Sequence, residues 1–325
     1  MKKMTDFPIV FTSDDKYIKY TSVTIASIIS NANKNFNYRF YILADHISDY
    51  NQRLLKEFVS KHKNCCIDFI ILTNLNKEQF YVKDYYSAVT YYRFYIPEIF
   101  KQYDRVLYLD GDVVVEADIS EFTTIDFENN AVIAVQDTKH CNFIKSGGED
   151  WYTKDYFYDI LKMNNPEQYF NTGVIAFNLK MMREQCIQDK LFALLEEIKN
   201  PKLLDQDILN SVLTRWGGVK FISNKYNFMA NIRTAPLNYS YKEVLLSRIK
   251  KIFNLNKKEK LPFFIYHFVE AAKPWKSQRP DRMLFYKYLY SIHEVNPPKE
   301  FVEEIIKENN RYFSIWWKLF MRYFS

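Results

Sequence analysis

The stretch "RVLYLDGDVVV", Arg105 to Val115, carries an apolar run broken by two aspartates with one glycine between them. The run has the length and composition of a buried strand. On a continuing strand, residues i and i+2 point the same way. If the chain instead bends at Gly111, Asp110 and Asp112 can both reach one cation, and the bare glycine backbone leaves room for a ligand's phosphates. Oxygen ligands favour hard cations such as Mg²⁺ or Ca²⁺, and an added histidine moves the preference toward Mn²⁺. Taken alone, Asp-Gly-Asp is equally consistent with a surface turn.

On its N-terminal side the chain alternates strands and helices. "FPIVFTS" (Phe7 to Ser13) reads as a buried strand, and the segment after it has helical apolar spacing at Ile18, Ile25, Ile28, Ile29 and Ala32. "YRFYILAD" (Tyr38 to Asp45) and "CIDFIIL" (Cys66 to Leu72) read as further strands, with a helix capped by Ser48 or Asp49 between them. A helical "TYYRFYIPEIF" leads into the Asp-Gly-Asp strand. Beyond it, "AVIAVQD" and "YFNTGVIAFNL" are strand-like, and "DQDILNSVLTR" opens a helix in which Asp207 answers the helix dipole. The pattern predicts an α/β fold with a mostly parallel sheet and helices on both faces. Ligands bind such sheets beyond the carboxyl ends of the strands, where Asp14, Asp15, Asp110, Asp112 and Asp137 gather.

Composition removes several classes. The 325 residues are 48% hydrophobic and 18% aromatic, ample for a large core. The six glycines are placed so that neither a dinucleotide fingerprint nor a P-loop can be written. Four cysteines without C-x-x-C spacing and a start lacking a signal-peptide core suggest reduced thiols in a cytoplasm. No apolar run approaches the ~20 residues of a membrane-spanning helix. The net charge of +6 is concentrated late: residues 242 to 260 carry seven Lys/Arg against two Glu, and residues 311 to 325 carry three Lys/Arg and no acid. That distribution argues against a nucleic-acid footprint and for local anionic contacts.

The ordered set "VFTSDDKY", "TYYRFYIPEIF", "RVLYLDGDVVV", "YFNTGVIAFNL", "LLDQDILN", "YNFM" and "HFVEAAKPW" resembles the retaining nucleotide-sugar glycosyltransferases of family 8. The resemblance runs from about Ile9 to Lys276. It implies a GT-A, Rossmann-like catalytic domain over residues 1–276 with a basic insertion at about 241–260, followed by a C-terminal helical region over 277–325. By residue match it implies a Mn²⁺ site at Asp110, Asp112 and His267, with Mg²⁺ as a substitute. It also implies contacts to the uracil and ribose from Thr12 and Asp14, and to the rest of the donor from Arg93, Gly111, Asn171 and Lys273. Asp137, Asp205 and Gln206 fall at the reacting sugar. Lys16 stands where relatives often carry Asn, and Glu270 replaces a glycine of the loop before Lys273.

The implied activity is transfer of galactose or glucose from a UDP-sugar to a glycan, glycolipid or glycoprotein. Self-glucosylation of a tyrosine, as in glycogenin, and a non-enzymatic basic module binding membrane or nucleic acid are the alternatives. Wound as a helix, "RYFSIWWKLFMRYFS" (Arg311 to Ser325) gathers Phe313, Trp316, Trp317, Phe320 and Phe324 on one face and cations opposite. Such a helix suits an anionic lipid interface, which predicts a peripheral position on the inner face of the membrane.

Overall fold

A computed structural model describes residues 4–73, 75, 80–81, 87–149, 152–230, 263–269, 271–277, 279, 281–289 and 295–308. The basic insertion at 241–260, Glu270 and the 311–325 tail lie outside the described residues.

The first strand, β1 (Thr5–Thr12), is apolar and buried along most of its length, as a central strand must be when both faces are covered. It is followed by α1 (Ile18–Ser30), β2 (Phe36–Ala44), α2 (Asp49–Ser60) and β3 (Cys65–Ile71). After the short α3 (Ile96–Ile99) come β4 (Arg105–Leu109), β5 (Val113–Val115), β6 (Val132–Gln136) and α4 (Thr138–Lys145). The small strands β7 (Gly148–Glu149) and β8 (Tyr152–Thr153) pair with each other before β9 (Phe170–Asn178), α5 (Leu179–Glu184), α6 (Ile187–Ile198) and α7 (Leu204–Val212). The described chain continues through β10 (Val219–Phe221), β11 (Phe228–Met229), β12 (Ile265–His267), α8 (Arg282–Leu289) and α9 (Lys299–Glu308).

Seven strands form the main sheet in the order β10-β6-β9-β4-β1-β2-β3. Pairing is parallel except at β9, which runs antiparallel to both β4 and β6. The sheet therefore does not grow outward from β3. It returns to pair β4 with β1, leaving β3 at an edge and creating a switch point between β1 and β4, where a crevice opens beyond the strand ends. Separate apolar clusters, built around Phe11 and Phe40 and around Tyr92 and Phe177, cover the two faces.

A smaller sheet, β11-β12-β5, stands beside the main one. Its edge strand β5 is stitched to α1 by polar side chains. Thr24 donates to the carbonyl oxygens of Gly111 and Val113 (3.1 and 2.7 Å), Ser27 accepts from Val115 N–H at 2.9 Å, and Asn31 donates to Val115 O at 2.9 Å. These bonds satisfy backbone groups that an unpaired edge would leave buried and unmade. The helices α8 and α9 share one apolar cluster with Tyr20 of α1, Tyr266 of β12 and Trp275. Lys19 of α1 is paired with Glu304 and Glu308 of α9. The C-terminal helices thus pack on the same helix that supports the Asp-Gly-Asp turn.

Candidate active site

The carboxyl ends of β1 and β4 meet through a short hydrogen-bond chain. Tyr108 O–H donates to Asp110 Oδ1 at 2.8 Å, so Thr12 Oγ1, 2.9 Å from the Tyr108 oxygen, must be the donor there. Gly111 makes the bend that the sequence suggested, but its bare side faces α1. A Cβ there would lie 2.4 Å from Thr21 Oγ1 and 3.2 Å from Tyr17 Cε1. The glycine thus admits helix α1 close to the turn.

His267 reaches Asp112 because β12 pairs antiparallel with β5, placing His267 opposite Val113, and Phe268 N–H donates to Asp112 O at 3.1 Å. Asp110, Asp112 and His267 offer ligand atoms that all lie within 4.8 Å of one another. His267 Nε2 is 3.3 Å from Asp112 Oδ1 and 3.8 Å from Asp110 Oδ2. Asp112 Oδ1 is buried with no hydrogen-bond partner, an expensive condition for a carboxylate unless a cation is its natural neighbour. Gly173 of β9 completes the hollow, since a Cβ there would meet His267 Cε1 at 2.2 Å and Asp110 Oδ2 at 2.8 Å. Two carboxylates and one imidazole around a space kept open by glycine fit a divalent cation.

Lys273 donates to Asp112 Oδ2 and to Phe268 O, so the loop lysine also reaches this cluster. Burial alone would push the Asp112 carboxyl up, but Lys273 and then His267 outweigh it and hold the group well below the usual range. Trp275, two residues on, stacks on Tyr20 at 4.0 Å between ring centroids and anchors the loop to α1.

A second group of residues converges on Arg93, which the 3₁₀ segment Ala88–Tyr95 carries into the interior. Its guanidinium donates to Thr172 O (2.8 Å) and Asp110 Oδ1 (3.1 Å), lies 2.9 Å from Asp205 Oδ2, and covers the Tyr108 ring at 4.2 Å. Thr90 donates to Asp205 Oδ1 at 2.6 Å. Arg93 therefore ties the Asp110 end of the site to the start of α7. Burial pushes the Asp205 pKa up to about 6, against the lowering pull of Arg93 and Thr90 and with a further push from Asp110.

Asn171 and Gln206 meet because the β6–β9 ladder slips: Ala134 pairs with Ile175 but Val135 with Asn171, so residues 172 to 174 have no partner on β6. A bulge of this kind turns a strand's side chains toward a new direction. Gln206 Oε1 accepts from Asn171 Nδ2 (3.3 Å), Thr172 N–H (3.1 Å) and Thr172 Oγ1 (3.3 Å). Two other sequence candidates have local duties. Asp14 accepts from the N–H groups of Lys16 (3.0 Å) and Tyr17 (2.8 Å) and shapes the entry to α1. Asp137 caps α4, accepting from His140 N–H at 3.1 Å with His140 Nδ1 2.8 Å away, and no described contact joins it to the Gln206 group. Asp15 accepts from Ser48 and Asn51 and fixes α2. Sequence reading passed over Thr90, Tyr108, Gly173 and Asn227. Tyr108 was legible in hindsight, as the residue two before Asp110 on the same strand face.

The site is thus a metal-type triad at the switch point of an α/β sheet, beside a carboxylate–amide group. A profile of glycosyl transferase family 8 matches residues 8–279, and the chain belongs to that family. A putative glycosyltransferase of Haemophilus influenzae is 31% identical over 273 residues, covering 82% of this chain and 72% of its own. The lipopolysaccharide 1,3-galactosyltransferase of Salmonella typhimurium is 26% identical over 278 residues, covering 83% and 73%. Among solved structures, the galactosyltransferase LgtC with donor and acceptor sugar analogues superposes with a TM-score of 0.69 at 27% identity, over 92% of this chain and all of LgtC. The bifunctional glycosyltransferase WbbM gives 0.71 at 28% identity, over 95% of this chain and 52% of WbbM. The fold is accordingly GT-A.

Proposed function

We propose that this protein is a Mn²⁺-dependent, retaining hexosyltransferase that moves galactose or glucose from a UDP-sugar to a cell-surface glycan, lipooligosaccharide or glycoprotein. The observation that carries the reading is the convergence of Asp110, Asp112 and His267 next to the Arg93–Asp205 and Asn171–Gln206 groups. Asp110, Asp112 and His267 would hold the cation, and a divalent cation bound there would supply charge stabilisation for a diphosphate leaving group. Mg²⁺ would serve as a substitute.

The chain's own residues supply the rest. Thr12 and Asp14, at the end of β1, take the uracil and ribose, and Gly111 passes beneath the donor. Lys273 answers negative charge on the diphosphate as the glycosidic bond breaks. Arg93 and Asn171 position the sugar, with Asp205 and Asp137 orienting it. In this reading Gln206 takes the place where a double displacement would need a carboxylate. Its oxygen already accepts three hydrogen bonds, which makes it a still poorer nucleophile. That supports departure and attack on one face of the sugar, the leaving phosphate oxygen taking the acceptor's proton. The names of the galactosyl- and glucosyltransferase relatives favour a lipopolysaccharide-type acceptor.

The test is a screen of UDP-sugars for hydrolysis with and without Mn²⁺, with the mass of the protein recorded after each incubation. Metal-dependent release of UDP from UDP-galactose or UDP-glucose is expected, with the protein's mass unchanged. A gain of hexose mass would instead indicate self-glucosylation, and no turnover of any UDP-sugar would overturn the reading. No described helix is long and apolar enough to cross a membrane. We assign membrane contact on the cytoplasmic face to residues 311–325, so truncation after Asn310 should abolish sedimentation with anionic liposomes while leaving UDP-sugar hydrolysis intact.

A further inference from the structure

The metal-type histidine and the reacting-face glutamine are linked by one directional chain of buried amides. Gly173 N–H donates to Asn171 Oδ1 at 3.0 Å. A backbone N–H can only donate, so the Asn171 atom facing it is the oxygen. Asn227 approaches the same oxygen at 2.8 Å and must present its NH₂ group. The other arm of the Asn227 amide is then an oxygen, 3.0 Å from His267 Nδ1. An amide oxygen can only accept, so Nδ1 carries the ring proton. The unprotonated nitrogen of the neutral ring is Nε2, the one that faces Asp110 and Asp112. In the other direction, the NH₂ of Asn171 points to Gln206 Oε1. Asn227 itself is fully buried, so solvent offers no competing partners.

We propose that Asn227 is a positioning residue that fixes His267 in the Nδ1–H tautomer, presenting Nε2 as a ready metal-binding lone pair, and that the same amide chain, read from Gly173 N–H, turns the NH₂ of Asn171 to Gln206, whose oxygen Thr172 N–H also holds. The proposal rests on Asp110, Asp112 and His267 being a metal site. Groups behind a ligating histidine commonly change metal affinity about 10- to 100-fold when removed. Here the group is an amide whose orientation is dictated by a backbone N–H of strand β9, so ligand geometry and the reacting face are referred to the same strand.

The experiment uses the full chain labelled with ¹⁵N-histidine, metal-free, at a pH where the imidazoles are neutral. Long-range ¹H–¹⁵N correlation reads each tautomer, and His267 is assigned by the signal lost in His267→Gln. The expected result is Nδ1–H for His267; Nε2–H overturns the proposal without needing any other variant to fold. The second measurement titrates Mn²⁺ in the presence of UDP into wild type, Asn227→Ala and Asn227→Asp, each checked for an unchanged near-ultraviolet circular dichroism spectrum. Asn227→Ala should bind Mn²⁺ about 10- to 100-fold more weakly. Asn227→Asp keeps an acceptor for Nδ1–H and should recover most of that loss. It sets an oxygen against Asn171 Oδ1, so its kcat should still fall. A folded Asn227→Ala with wild-type Mn²⁺ affinity overturns the proposal. Wild type that binds no Mn²⁺ overturns the site reading itself, whereas wild type that binds it with an Nε2–H ring overturns only the role of Asn227.

Discussion

In Asp110-Gly111-Asp112 both carboxylates turn toward His267, whereas in Asp205-Gln206-Asp207 they part and serve different regions of the molecule. The first triplet lies at a strand end, where the bend at Gly111 keeps i and i+2 on the same side. The second lies in the first turn of α7, where residues two apart are about 200° around the helix. Asp205 faces Thr90 and Arg93. Asp207 is fully buried on another side, accepting from the hydroxyls of Tyr152 (2.7 Å), Tyr169 (2.6 Å) and Tyr156 (2.8 Å) and from Leu203 N–H (2.8 Å). Burial, and then the charge of Asp207, raise the pKa of all three tyrosines, so they stay protonated and donate. One triplet gathers charge around an open space; the other divides it between an ion pair with Arg93 and a structural anchor. Identical spacing carried no information about which would happen.

The largest expected effect separates the triplets by function. Asp112→Ala, Asp110→Ala or His267→Ala should each lower UDP-sugar turnover about 10²- to 10³-fold, the scale of losing one preorganised charge-stabilising group. Chelator should have a comparable effect on wild type, reversed by Mn²⁺. Turnover at the untreated rate after chelation would break the metal assignment.

Asp207→Ala should act on stability instead. It leaves three tyrosine hydroxyls and a backbone N–H without their acceptor, at about 1–3 kcal/mol for each buried group left unsatisfied. A loss of at least about 3 kcal/mol in urea unfolding is expected. Loss of Mn²⁺ affinity with unchanged stability would contradict the structural role.

The acids that face charged partners also differ in the sign of their pH dependence, measured on metal-free protein. Asp205 has a folded pKa of about 6 against an unfolded 3.8. Its contribution to stability is therefore complete at low pH and lost as pH rises from about 4 to about 6, on the order of 2–3 kcal/mol. Asp205→Asn should remove that decline. Asp112 is held below the usual carboxylate range, so its contribution is present at neutral pH and lost on acidification. Unfolding midpoints across pH 2 to 7 for wild type, Asp205→Asn and Asp112→Asn decide the point, the Asp205 decline falling between about pH 4 and 6 and the Asp112 loss below about pH 4.

The smallest effect falls on the residue between the two acids of α7. Gln206→Ala should lower kcat about 10-fold or more while leaving the apparent affinity for the donor within about twofold, because the group acts as the bond breaks. A change confined to KM would assign Gln206 to ground-state binding.

Much of this was legible before folding. Apolar runs of strand length alternating with 3.6-residue periodicity announce an α/β sheet, because both patterns follow from the local geometry of the backbone. Asp110, Gly111 and Asp112 could be singled out because two carboxylates flanking a glycine at a strand end can reach one cation, although the triplet alone reads equally as a surface turn. The helix dipole and the family resemblance separate Asp207 from Asp205, but neither names their partners, Arg93 and Thr90 for Asp205 and the Tyr152–Tyr169 segment for Asp207.

The tertiary structure alone decided three things. It placed β4 beside β1, which puts Thr12 and Asp110 at one crevice. It paired β12 with β5, which brings His267 to Asp112 across a long span of sequence. It slipped the β6–β9 register, which turns Asn171 and Thr172 to Gln206. Each is a non-local pairing chosen by the burial of whole faces and the satisfaction of backbone hydrogen bonds. No window of sequence contains both partners, so local pattern could name the residues of the site but could not say which would touch.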